Sequence, residues 1–65
     1  MWVVVYMAHH KKDVDAIEGI LGDENIPYKI RPVYKNIAPE VNCFEIMVPQ
    51  SEVGEVHNIL MEYGF

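Results

Sequence analysis

The sequence contains a single cysteine, Cys43, which excludes an internal disulfide and fits a reducing cytoplasm. It lacks a glycine-rich phosphate loop, since its four glycines are scattered. Its apolar opening, Met1 to Met7, is far shorter than the ~20 residues of a membrane span. The paired lysines Lys11 and Lys12 follow that run instead of preceding it, so neither a secretion signal nor an anchor is expected. Basic residues are scarce. Five face ten acids, and the net charge of −5 weakens any attraction to nucleic acid or anionic lipid, neither of which is an expected partner.

Catalytic and metal-binding patterns are equally thin. His9, His10, His57 and Cys43 are the residues from which a metal cluster could be drawn. Adjacent histidines on extended chain point apart, however, and there is no His-x-x-x-His or Cys-x-x-Cys spacing, so no metal and no cofactor are expected. Cys43 reads as a small buried hydrophobe. Ser51 reads as a helix cap, and no nucleophile has a base and an orienting partner. An enzyme is not expected. A pyridoxal-phosphate decarboxylase in particular needs a Schiff-base lysine, a phosphate cradle and a pyridinium partner, more than 65 residues can enclose.

What is present is half hydrophobic by composition and reads as one domain over residues 1–65. Trp2-Val3-Val4-Val5-Tyr6-Met7, β-branched and aromatic without a polar break, has the pattern of a strand covered on both faces. From Asp13, the positions Val14, Ile17, Ile20 and Leu21 recur at helical spacing, with Asp13 and Asp15 near the positive end of the dipole. Gly22 and Asn25 are both candidate stops, and Gly19 inside the helix implies close packing against the sheet. Tyr28, Ile30 and Tyr34 alternate with Lys29, Arg31 and Lys35 in a second strand bent at Pro32. Residues 36–42 have turn composition. Cys43 to Val48 alternates as a third strand with Phe44, Ile46 and Val48 inward. A second helix follows from Ser51, with Val53, Val56, Leu60 and Tyr63 inward and Gly64 closing it.

The order β-α-β-β-α, with a right-handed crossover, predicts an α+β fold: a three-stranded sheet ordered 1-3-2 with both helices on one face. This is a ferredoxin-like βαββα arrangement without its last strand. It leaves the most apolar strand at an open edge, so Trp2, Val3, Val4, Val5, Tyr6 and Met7 are expected to pair with a second copy. That homodimer would bury a face bearing either Trp2, Val4 and Tyr6 or Val3, Val5 and Met7. A core this small rarely supplies more than ~3–5 kcal/mol, which favours help from a partner.

Lys29, Arg31 and Lys35, with Tyr34 among them and no acid between, hold three of the five basic residues. They are the candidate binding residues for a small anion or a protein partner. A solvated strand face that pairs with its own acids is the competing reading.

The opening strand, the stretch Asn25-Ile26-Pro27-Tyr28-Lys29-Ile30 and the run Phe44-Glu45-Ile46-Met47-Val48-Pro49 leading into Val53 to Leu60 resemble the small bacterial signal-transducing domain family of unknown function. The resemblance covers nearly the whole chain. It implies the ferredoxin-like fold and a regulatory role, and it brings no ligand or catalytic residue. The resulting expectation is a cytoplasmic, dimeric binding or regulatory module. The alternative is a structural or accessory protein-interaction unit with no small ligand.

Overall fold

Five main elements form along the chain: β1 (Trp2–Ala8), α1 (Lys11–Asp23), β2 (Lys29–Pro32), β3 (Phe44–Pro49) and α2 (Val53–Glu62), as seen in a computed structural model that describes residues 1–65. Short 3₁₀ turns at Pro39–Val41 and Gln50–Glu52 lead into β3 and α2, respectively, at the entry to each. The sheet order is β1-β3-β2, with β3 antiparallel to both neighbours. The expected α+β sheet order is therefore observed, with β1 at an edge.

Alternation on β3 sets the two faces. Phe44, Ile46 and Val48 are buried, whereas Glu45, Met47 and Pro49 are only partly covered. Val14, Ile17 and Leu21 of α1 and Val56 and Leu60 of α2 join the inward β3 residues in one cluster of ten buried apolar side chains, completed by Ala8 and Ile26. Both helices thus cover the same side of the sheet. The opposite side has no helix over it, and the Cα dimensions of 32 × 25 × 16 Å are those of a two-layer slab.

On β1 the alternation breaks. Val3 lies opposite Val48 and Val4 opposite Met47, but Tyr6 then lies opposite Ile46, so Val5 is an extra residue in a bulge. Before the bulge the odd residues face the helices, and after it Tyr6 and Ala8 do. Neither expected set of β1 residues forms a face. The helix side receives Val3, Val5, Tyr6 and Ala8, and the open side carries Trp2, Val4 and Met7. The expectation of a strand covered on both faces is corrected with it.

Several helix boundaries also differ. Helix α1 begins at Lys11, two residues before Asp13, and gains an (i, i+4) ion pair between Lys11 Nζ and Asp15 Oδ1 at 2.7 Å. The helix ends at Asp23, and the residue that stops it is Asn25, two positions on, instead of Gly22. Asn25 adopts φ 57°, its amide donates to the Gly22 carbonyl, and the Ile26 amide donates to Leu21 at 3.0 Å. This paired closure tucks Ile26 into the core. Helix α2 closes in the same way. Gly64 has φ 88°, Phe65 donates to the Leu60 carbonyl at 2.9 Å, and the Phe65 ring meets Tyr6 edge-on at 5.5 Å. Ser51 lies in the 3₁₀ turn before α2 and makes no capping hydrogen bond; Glu52 holds the cap position. Tyr63 is 63% exposed, and Ile59 packs inward in its place.

Gly19 is not explained by packing. A Cβ at this exposed position meets nothing within 4 Å. Gly19→Ala is therefore expected to stabilise the fold by roughly 0.5–1 kcal/mol, through the smaller backbone entropy lost when alanine enters a helix. A urea midpoint for the variant equal to or below that of the parent chain would show that the open space beside residue 19 is not available to a methyl group.

Candidate functional site

The uncovered side of the sheet is built row by row from strand register. Side chains directly opposite in an antiparallel pair share a face. Val4, Met47 and Lys29 therefore form one outward row, and Met7, Glu45 and Arg31 form another. Trp2, at the start of β1, adds its indole to the first row. The three β1 residues remain 36%, 39% and 42% exposed in the order Trp2, Val4, Met7. The face draws its apolar residues from β1 and its cations from β2.

Both cations have contacts within the chain. The Lys29 ammonium lies 4.3 Å from the centroid of the Trp2 ring, so the two side chains meet across the width of β3. An exposed cation-π contact of this kind contributes about 0.5–1 kcal/mol. Arg31 donates from Nε to Glu45 Oε1 at 2.8 Å, and its Nη2 lies 2.6 Å from the same oxygen. The basic strand thus pairs with its own acid at one of its positions. Neither contact buries its cation, and the Arg31 side chain is 60% exposed with further N–H groups free to donate.

The four candidate binding residues fall in two places. Lys29 and Arg31 are on the open face, but β2 stops at Pro32, and Tyr34 and Lys35 belong to the loop beyond it. Proline cannot continue a hydrogen-bonded ladder as a donor, and Asn36 at φ 59° reverses the chain four residues later. A single four-residue basic site is therefore corrected to two separate features. Tyr34 and Lys35 line a shallow depression of about 430 Å³ with Pro32, Ile37 and Phe44. Lys35 is the only charged side chain there, without a second cation to close on an anion.

Asn42 holds this loop. It is 3% exposed, its Oδ1 accepts from the amides of Tyr34 at 3.2 Å and Cys43 at 2.8 Å, and its Nδ2 donates to the Tyr34 carbonyl at 2.8 Å. The Val33 amide donates to the Cys43 carbonyl, joining the loop base to β3. At the other end of β2, the neighbouring Glu18 carboxylate of α1 favours the protonated Tyr28 phenol and raises it above its ordinary pKa.

The histidines separate. His10 occupies the position before α1 and makes no cap bond, and His57 is exposed on α2. His9 follows Ala8, which lies opposite Phe44, and its Nδ1 is 3.3 Å from Cys43 Sγ. Cys43 is half-buried at this contact, not enclosed as a core residue. Residues 34 apart gave no local signal of the pairing; only the β1–β3 register brings them together. No group of three His, Cys, Asp or Glu side chains converges in an arrangement able to hold a metal ion.

The remaining surface feature is the outer edge of β1. Seven residues long and free of charge and proline, it hydrogen-bonds to β3 on one side only. No helix is long and apolar enough to cross a membrane. Comparison with protein-family models, with curated proteins and with solved structures finds no match to this chain.

Proposed function

We propose that the protein is a small cytoplasmic association module of ferredoxin-like design, acting as a homodimer joined along β1 and presenting the open face of its sheet to other molecules. The observation that carries this reading is the position of β1. An edge strand normally carries a lysine, an inward charge or a proline that discourages further pairing, and Trp2–Ala8 has none of these. The Val4–Tyr6 bulge is the one blunting device present, and it divides the edge in two without interrupting its apolar character. A two-fold axis near Val4 would set Val4 beside its own copy and Val3 beside the copy's Val5, giving a six-stranded sheet.

The open face supports protein association over a small-molecule role. It is broad and uncovered, whereas the only depression is shallow and holds a single cation. The alternative, a purely structural or accessory protein-interaction unit with no small-molecule ligand, uses the same surfaces.

Sedimentation velocity at tens of micromolar is expected to give a species of about twice the 7.5 kDa chain mass. Val4→Lys should raise the dimer dissociation constant at least about tenfold, because it sets like charges against each other across the axis while its side chain remains in solvent in the monomer. A parent chain that sediments only as a monomer under these conditions removes the proposed mode of action.

A further inference from the structure

We propose that the open face of the sheet is the seat for an acidic amphipathic helix of a partner protein. This deepens the association reading but stands on the face and not on the β1 edge.

The charge of the molecule is divided between its two sides. Helices α1 and α2 together carry six acids and two bases, whereas the open face carries Lys29 and Arg31 with Glu45 as its one acid. In a chain of net charge −5, the sheet face is the positive side. Its cations rise from β2 at one margin and reach inward, the Lys29 ammonium to the Trp2 ring and the Arg31 guanidinium to Glu45, and Val4, Met7 and Met47 supply the apolar ground around them. An occupant must therefore present an apolar stripe flanked by carboxylates.

The backbone decides that this occupant is helical. Strand β3 is hydrogen-bonded on both sides, so the middle of the face offers side chains and no main-chain partners. A segment lying there must satisfy its own amides and carbonyls, which a helix does and an extended peptide does not. The sheet also has a helical layer on only one side, and a helix of about 15–20 residues, at 1.5 Å per residue, matches the 25–32 Å sides of the slab. Two cations are too few to retain a nucleic-acid backbone or an anionic membrane at physiological salt.

The test is a titration of the ¹⁵N-labelled full chain with a synthetic helical peptide bearing a leucine stripe flanked by glutamates. A second peptide of the same stripe has lysine in place of every glutamate. The acidic peptide is expected to shift the Trp2 indole and the Met7, Met47 and Arg31 amides saturably, and more weakly as salt is raised. Lys29→Glu with Arg31→Glu should weaken it at least about tenfold. Lys29→Arg should retain binding, and it keeps the comparison decisive if the double variant does not fold. Equal binding of the lysine peptide, shifts confined to the helices or the β1 edge, or no saturable shift overturns the proposal. Sedimentation of the same samples reads the dimer separately: a monomer that still binds the acidic peptide removes only the β1 reading, and a dimer that ignores the peptide removes only this one.

Discussion

Ile46→Ala is expected to leave most of the chain unfolded at 25 °C. Ile46 is fully buried on the central strand, opposite Tyr6 on one side and Ile30 on the other, within the cluster to which both helices contribute. Truncating a buried isoleucine to alanine costs about 2–5 kcal/mol, part of it lost transfer energy and part the cavity left behind. A single core in a chain of this size supplies about 3–5 kcal/mol in total. The two quantities are of the same order. Far-UV circular dichroism with a urea titration reads the outcome, and a variant that retains a cooperative transition within about 1 kcal/mol of the parent would mean that the ten-residue core is not what holds the fold. The proposed β1 dimer would bear on this result, because a partner that binds only the folded chain raises apparent stability with concentration. If that dimer forms, the loss is greatest in dilute samples.

The importance of Ile46 was readable in advance, because β3 alternates and so declares which residues face inward. The same holds for the stripe of α1 and for the left-handed close at Gly64. The sheet order followed from chain connectivity, which leaves few ways to place three strands and two helices. On β1 there was no such declaration. Every residue from Trp2 to Met7 is apolar, so no polar position marks an outer face, and an inserted residue at Val5 leaves no trace in the pattern. The limits of β2 were hidden for a different reason. Tyr34 and Lys35 continue the alternation past Pro32, yet a buried side chain eight residues on from Tyr34, that of Asn42, captures the backbone there and turns it into the loop. Ser51 looked like a cap because its residue type suits the task; the 3₁₀ turn moves the cap one residue along, to Glu52.

The candidate site was legible to a similar degree. Composition picked out Lys29 and Arg31, and the two do lie together on one face. Their neighbours were not readable. Trp2 and Lys29 meet across an intervening strand, and Arg31 meets Glu45 on β3, so the chemistry of the face depends on register between elements distant in sequence. What the composition presented as a basic strand is, in three dimensions, one margin of an apolar surface.

Asn42→Ala is expected to destabilise the fold by about 1–3 kcal/mol and to free the loop at residues 33–42 while the sheet persists. The side chain satisfies two backbone donors and one acceptor that have no other partner in the structure. Its removal leaves the Tyr34 and Cys43 amides and the Tyr34 carbonyl to whatever water can reach them, and an orphaned polar group costs more than the bond it lost had contributed. Asn36 at φ 59° adds to the consequence, since a non-glycine residue keeps a left-handed conformation only where its surroundings hold it there. Hydrogen exchange separates the local effect from the global one: the Tyr34 and Cys43 amides should lose protection by a larger factor than those of β1 and α1. Asn42→Asp, which keeps the accepting oxygen and loses the donor to Tyr34, should fall between the parent and the alanine variant. Uniform loss of protection across the chain would place Asn42 in the general stability of the domain, whereas unchanged protection at Tyr34 and Cys43 would mean that backbone turns alone hold the loop.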